Sequence, residues 1–173
     1  MPQLNYDQYP AKGFSGLIAD SGNRNINSHA STSGGPFGQH SDENIIFGHG
    51  VVLSDIDGVG VSIPLTITTP TAIVAGIATA TQKTEGIGGG DQSAYNLGDA
   101  VNVMTKGRVW VELVGGSADA TAGAPVYITT AATTPVGAGA ISATATDNLE
   151  VPSARFVGSA SAGELVIVEI NLP

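Results

Sequence analysis

Apolar and polar residues alternate in short runs through most of the chain after residue 44. The clearest run includes Val101, Val103, Val109, Val111 and Leu113, which are separated by mainly polar side chains. A period of two residues sends successive side chains to opposite faces of a β-strand. The sequence shows no sustained helical period. Further strands are predicted within residues 45–54, 72–81, 124–130, 141–146, 151–160 and 164–172.

The run from residue 101 to residue 113 predicts a β-hairpin that turns near Lys106 and Gly107. A two-residue loop would place Val103 opposite Trp110 and would mix apolar with polar faces. A three-residue loop at residues 105–107 instead places Val103 opposite Val109, and Gly107 then supplies the left-handed residue that this loop requires. We therefore predict one wholly aliphatic face. The other face carries Asn102, Met104, Arg108, Trp110 and Glu112.

The last predicted strand differs from the others because it begins apolar on both faces. Its sequence is LVIVEINL from residue 165, and it alternates cleanly only towards its end. Gly occurs 24 times in the 173 residues, and only 12% of residues are charged. Frequent β-branched residues together with glycine-rich connections favour many short strands. The expected fold is a small antiparallel β-barrel or sandwich spanning residues 45–173.

Residues 1–44 have a different composition and are rich in Asn, Ser, Gly and Gln. A segment with so few large apolar residues is typically a disordered tail. Aromatic residues nevertheless recur within it, at Tyr6, Tyr9, Phe14 and Phe37. Such side chains suit an extended arm that docks on another surface. We therefore predict an extended N-terminal arm over residues 1–44.

The charge of the chain limits the partners that it can bind. Its formal net charge is −9, and its 6 Lys and Arg residues form no cluster in the sequence. Neutralising phosphates requires a basic surface, so we expect no nucleic-acid binding. The longest apolar stretch is too short to span a bilayer, so we expect no membrane insertion either. The chain has no Cys, and its N-terminus lacks the pattern of a secretory signal.

Candidate chemical motifs are incomplete throughout the chain. Asp55 and Asp57 have the alternate spacing of a calcium loop, but the continuation of an EF-hand is missing, so a plain turn is expected. His29, His40 and His49 lack the spacing of a zinc site. The glycines of residues 86–90 lack the Lys and Ser or Thr of a phosphate loop. No nucleophile elbow or carboxylate pair is recognisable. We predict no enzyme activity, no catalytic residues, no metal site and no cofactor.

Five short motifs in the second half of the chain occur in an order that is similar to a known protein family. An apolar strand ends in Gly-x-Ala, a Gly-Asp pair opens a strand, and a Gly-containing turn leads into x-Val-x-Val. A second pair then opens a short strand, with Gly123-Ala124 in place of the usual Gly-Asp, and a strand ending in Asn follows. The motifs lie at Ala75–Ala78, Gly98–Val101, Lys106–Val111, Ala122–Tyr127 and Gly163–Asn171.

In this order and spacing the chain resembles the capsid cement, or head decoration, proteins of tailed bacteriophages. The resemblance covers roughly residues 71–172. It implies a small β-barrel that sits on the outer surface of the phage head, often as a trimer. It also implies that the protein binds the major capsid protein, cements adjacent subunits and stabilises the shell against internal DNA pressure.

Interface residues are predicted mainly from their aromatic or flexible apolar character, because such residues are enriched in the cores of protein interfaces. The candidates are Tyr6, Tyr9, Phe14, Phe37, Met104 and Trp110. Trp110 has two interpretations at this stage, as part of a second core layer covered by the chain itself or as a contact between subunits. The alternative function is a carbohydrate-binding or adhesin domain of a tail fibre or cell-surface protein. Only 5% of residues are aromatic, which disfavours it.

Overall fold

The computed structural model describes residues 13–20, 22–32, 44–54, 59–64, 73–80, 94–130 and 138–173. Within them the chain forms strands and turns, and the predicted all-β class is confirmed. The strands are β1 (Asn25–Ser31), β2 (Ile45–Ile46), β3 (Gly50–Leu53), β4 (Gly60–Ser62), β5 (Val74–Ala78), β6 (Ala94–Tyr95), β7 (Ala100–Glu112), β8 (Pro125–Ile128), β9 (Ile141–Ser142), β10 (Leu149–Phe156) and β11 (Leu165–Asn171).

Nine of these strands form one sheet, which closes on itself in its first part. The order is β1-β4-β3-β5-β7-β11-β10-β8-β9, and an additional pairing of β1 with β7 closes a five-stranded barrel. At the far end of the sheet, an isolated parallel bridge joins Leu113 to Ile141 of β9. The long strand β7 is therefore shared by the barrel and by the strands that follow it. Strands β2 and β6 form a separate two-stranded sheet.

The structure contains two hydrophobic cores on either side of this shared region. The first core includes Phe47, Val51, Val61, Val101 and Val103. The second core is larger and includes Ile128, Phe156, Val166, Val168 and Ile170 among its fully or almost fully buried residues. Within β11, the buried residues Val166, Val168 and Ile170 alternate with more exposed ones, as expected for a strand with one face in the core.

Strand β5 forms a wall between the two cores, and all five of its residues are buried. Val74 and Ile77 contribute to the second core, whereas Ala75 and Ala78 contribute to the first. A strand that is buried on both faces carries apolar side chains at nearly every position. This explains why the sequence of β5 is continuously apolar or small.

The predicted hairpin at residues 101–113 is wrong, because β7 runs straight through the predicted turn as one strand of 13 residues. Its first half pairs with β1 and β5, and its second half pairs with β11. The expected aliphatic residues are nevertheless fully buried. They lie in different cores, since Val101 and Val103 belong to the first and Val109 and Val111 to the second.

A β-bulge at Thr105 makes this division possible. Ile26 of β1 pairs with Met104 and Asn25 pairs with Lys106, so Thr105 is left as an extra residue. One extra residue exchanges the two faces of a strand. Met104 therefore enters the second core instead of sharing a face with Trp110. Gly107 has the predicted positive φ, at 129°, but it lies inside the strand and not in a loop.

The N-terminal segment follows one edge of β7. Lys106 pairs with Asn25 on that edge and with Asn171 on the other. Further along, Ile18 forms an antiparallel bridge with Val109. Part of the predicted arm is thus a strand of the main sheet, and the proposed division of the chain at residue 44 stays a prediction. Tyr6, Tyr9 and Phe37 lie outside the described residues.

Two features of the fold lead to measurable expectations. The first is Gly76 in β5, where the chain has a φ of 146°. A Cβ atom at this position would lie 2.3 Å from the backbone oxygen of Met104 and 2.7 Å from Cγ1 of Val103. We expect Gly76→Ala to lower the free energy of unfolding by about 3 kcal/mol, because the strained φ and the backbone clash act together.

Chemical denaturation of the variant would measure this loss. Gly158→Ala is a matched control, since nothing lies within 4 Å of the added Cβ and the backbone there is not left-handed. Equal stability of the two variants would contradict the close approach of β5 to β7.

The second feature is His49, which lies between β2 and β3 beside the Gly139 turn. Its buried Nδ1 has no hydrogen-bond partner among the described residues. Burial lowers the pKa of His49 from 6.5 to about 4, although a hydrogen bond with the Ala138 backbone opposes the shift. The folded protein therefore disfavours the protonated imidazole.

We expect stability to fall as the pH drops from 6.5 to about 4, because the unfolded chain binds the proton more readily in that range. Above pH 6.5 the imidazole is neutral in both states and contributes no pH dependence. The full effect corresponds to about 3 kcal/mol. Urea denaturation across this pH range measures the free energy of unfolding, which should change less with pH for His49→Gln than for the unsubstituted protein. An equal dependence on pH in the two proteins would show that His49 is not the group responsible.

Candidate functional site

Two of the six predicted interface residues, Phe14 and Trp110, lie close to each other in the structure. Gly13, which precedes Phe14 in the chain, lies against the Trp110 ring. A Cβ added to Gly13 would be 2.7 Å from Cδ1 of Trp110 and 3.0 Å from Cδ2 of Leu17. Phe14 is 57% exposed. The N-terminal segment and the second half of β7 therefore build one apolar surface.

Met104 occupies a different environment from the one expected. It is fully buried in the second core and exposes no surface in the isolated chain. The bulge at Thr105 is the cause, because it turns Met104 away from the face of Trp110. Tyr6, Tyr9 and Phe37 are not among the described residues, so their positions stay predictions.

Backbone hydrogen bonds hold the N-terminal segment against Trp110. The Gly16 N–H donates to the Trp110 carbonyl at 2.7 Å, and the Trp110 N–H donates to the Leu17 carbonyl at 2.8 Å. The Ala19 N–H donates to the Arg108 carbonyl at 2.8 Å. Trp110 is half-buried as a result. The chain's own segment thus covers part of the ring, and the remainder stays at the surface.

Cross-strand pairs extend this surface from β7 to β11. Trp110 pairs with Ile167, and the neighbouring pair joins Glu112 to Leu165. Ile167 and Leu165 are half-buried, whereas Val166 and Val168 between them point into the second core. Sequence reasoning did not assign Ile167 to an interface. The two-sided apolar start of β11 was the signal that its outer side is also covered.

We call this surface the outer face, defined by Phe14, Leu17, Trp110, Ile167 and the pair Arg108–Glu169. In the pair, Nε of Arg108 lies 2.7 Å from Oε2 of Glu169, and the side chains are 46% and 52% exposed. Exposed ion pairs of this kind contribute less than about 1 kcal/mol to stability. An apolar centre with a charged rim is the usual anatomy of a protein interface.

The candidate metal ligands do not come together in the described part of the chain. It contains no group of three His, Asp or Glu residues that could hold a metal ion. His29 lies in β1, and His49 lies next to β3. His40, Asp55, Asp57 and the glycines of residues 86–90 lie outside the described residues. Across the same ranges, the structure includes no helix long and apolar enough to cross a membrane.

Several aromatic side chains serve the core and not a ligand platform. Phe47 and Tyr95 meet edge to face with ring centroids 5.0 Å apart, and both are buried. The Tyr95 hydroxyl donates to the Thr79 carbonyl at 2.6 Å. Phe156 is buried in the second core. These three side chains are therefore not available for stacking on a sugar.

Comparison with solved structures gives four matching chains. One of them has the following match. It comes from a structure described as the capsid of Myoviridae phage XM1, with a TM-score of 0.66 and 18% sequence identity. The match covers 98% of this chain and 98% of that chain. At this identity the likeness establishes the fold. A search of the curated proteins found no match.

Comparison with protein-family models gives a match over almost the whole chain. The matching family is described as structural cement protein (E217 gp24/Pam3 gp6), and the match covers residues 1–171. It includes the N-terminal segment, which the motif resemblance did not reach. The chain therefore belongs to the structural cement protein family of bacteriophages, which places it in the virion head.

Proposed function

We propose that this protein binds the outer surface of the head shell and joins adjacent major capsid subunits, which stabilises the shell against internal DNA pressure. The family match over residues 1–171 is the observation that carries the proposal. Membership of the cement protein family implies association with capsid proteins. The family is a structural one, and its members are not a known class of enzyme.

The outer face supports the proposal as the contact surface. Its centre combines Trp110 and Ile167 with the exposed side chains of Phe14 and Leu17, which are 57% and 36% exposed. Burying such side chains contributes about 25 cal/mol for each Å² of apolar surface removed from water. Aromatic anchors of this kind often dominate binding energy. The outer face can therefore supply the affinity that a cement protein needs.

The N-terminal segment supports a bridging role. Hydrogen bonds from Gly16 and to Leu17 fix it beside Trp110. The first 12 residues precede that anchor, and a chain of this length reaches at most about 40 Å when fully extended. They include Tyr6 and Tyr9. We propose that these residues contact a second capsid subunit while the outer face holds the first.

Repetition over the shell would turn modest contacts into a large mechanical effect. Each bridge adds a link that must break before neighbouring capsid subunits separate, and many links act together. We further propose a trimeric assembly, because a three-fold arrangement matches the three-fold positions of an icosahedral shell.

The cementing role is tested on purified phage heads that lack this protein. We expect such heads to rupture at a lower temperature and under a milder osmotic shock than complete heads. Adding the purified protein back should restore the resistance. Release of packaged DNA, followed with a dye that cannot enter intact heads, measures the rupture. Equal resistance of both kinds of head would exclude cementing.

The contact surface is tested with a charge placed in its apolar centre. We expect Phe14→Asp to weaken binding to heads at least about tenfold, because a carboxylate would be buried against apolar surface. Val59→Asp is the matched control, since Val59 is 63% exposed. It lies beside Ala30, which pairs with Ala100 at the opposite end of β7.

Co-sedimentation with heads gives the affinities, and thermal unfolding shows whether each variant is folded. Equal weakening by the two variants would mean that the outer face is not the specific contact.

A further inference from the structure

A polar groove opens beside the outer face, next to the bulge of β7 at Thr105. It has a volume of about 340 Å³. Residues 106–108 form one side, Glu169, Ile170 and Asn171 of β11 form another, and Asp20 and Asn23 of the N-terminal segment complete it. The groove thus lies where three separate parts of the chain meet.

Positive charge is concentrated at this groove in an otherwise acidic protein. Four Lys or Arg residues lie in the described part of the chain, and all four lie at or beside the groove. Arg155 of β10 is directly opposite Glu169 in the sheet. Lys106 and Arg108 line it. The Cβ of Arg24 lies 3.1 Å from the position that a Cβ of Gly107 would take. The chain as a whole carries a formal charge of −9.

The two acidic groups of the groove are already engaged. Oδ1 of Asp20 accepts a hydrogen bond from the Gly22 N–H at 2.8 Å. Oε2 of Glu169 accepts from Nε of Arg108 at 2.7 Å. That contact does not use the two terminal amino groups of Arg108. Lys106 is exposed and has no ion-pair partner among the described residues. The lining itself holds two acidic and two basic groups, and Arg24 and Arg155 beside it make the positive charge exceed the negative.

We propose that this groove receives a carboxylate-bearing segment of the capsid subunit that the outer face contacts. The proposal rests on the proposed function. Arg108 belongs both to the outer face and to the groove, so a subunit seated over Trp110 also covers the groove. An ammonium and a guanidinium side by side form short, charge-assisted hydrogen bonds with a carboxylate. The Asn23 and Asn171 amides add further donors.

The groove would act mainly on the selectivity for the capsid subunit and on the rate of association with it. Charge pairs at the edge of an interface steer the approach of the partner and set its register, while apolar anchors supply most of the affinity. A nucleic acid is a poorer occupant than a carboxylate, because the overall charge of −9 repels a phosphate backbone.

The experiment uses heads that lack the protein, to which the purified full chain is added at low and at high salt. We expect Lys106→Glu to weaken binding at low salt about tenfold or more and to remove most of the salt dependence. Lys106→Gln should have a smaller effect in the same direction. Val59→Asp adds one negative charge at an exposed position away from the groove, the same change in net charge as Lys106→Gln, and it should bind like the unsubstituted protein. Thermal unfolding confirms that each variant is folded.

The outcomes separate the two proposals. If the unsubstituted protein fails to bind heads, the proposed function is wrong. If it binds, but Lys106→Glu binds equally well at low salt, the groove proposal is wrong. The groove proposal is also overturned if Lys106→Glu changes only self-association in solution, since a second copy would then be the occupant. Binding of an acidic oligonucleotide that Lys106→Glu abolishes, with head binding unchanged, would overturn it as well.

Discussion

The structure depends on one strand that must serve two hydrophobic cores. β7 sends Val101 and Val103 into the first core and Val109 and Val111 into the second. A regular strand cannot place residues of the same parity on opposite sides of a sheet. The extra residue at Thr105 resolves this conflict by exchanging the two faces. Without that bulge, one of the two cores would lose its contribution from β7.

The same bulge determines which residues form the outer face. Beyond it, the even-numbered residues of β7 point away from the second core, so Arg108 and Trp110 lie at the surface. β11 continues this side with Ile167 and Glu169, which pair with them in register. The N-terminal segment then covers part of Trp110 through backbone hydrogen bonds. The composition of the candidate interface is thus a consequence of how the two cores are connected.

Alternation in the sequence predicted burial well and pairing poorly. Val101, Val103, Val109 and Val111 were expected to be buried, and they are, because each needs an apolar environment whichever strand lies beside it. Parity alone does not identify the partner strand. Lys106-Gly107 resembles a hairpin turn because a glycine with positive φ suits such a turn and also occurs here, next to the bulge inside the strand. Distinguishing the two requires the long-range pairs with β1, β5 and β11.

β1 was missed for a related reason. Most of its residues are polar, all but one are exposed or half-buried, and its stabilisation comes from backbone pairing with β7 and β4. A strand held in this way has no apolar period for sequence reasoning to detect.

Trp110 illustrates the opposite case, since its aromatic character indicated a covered position but not which element covers it. The chain's own segment around Gly16 and Leu17 provides part of that cover, and the contact between subunits stays a proposal. Partial cover orders the segment, and under the proposed function the part of the ring that stays at the surface is held rigidly for a partner. Because a preorganised surface loses less conformational entropy on binding, a small contact of this kind is well suited to repetition over a shell.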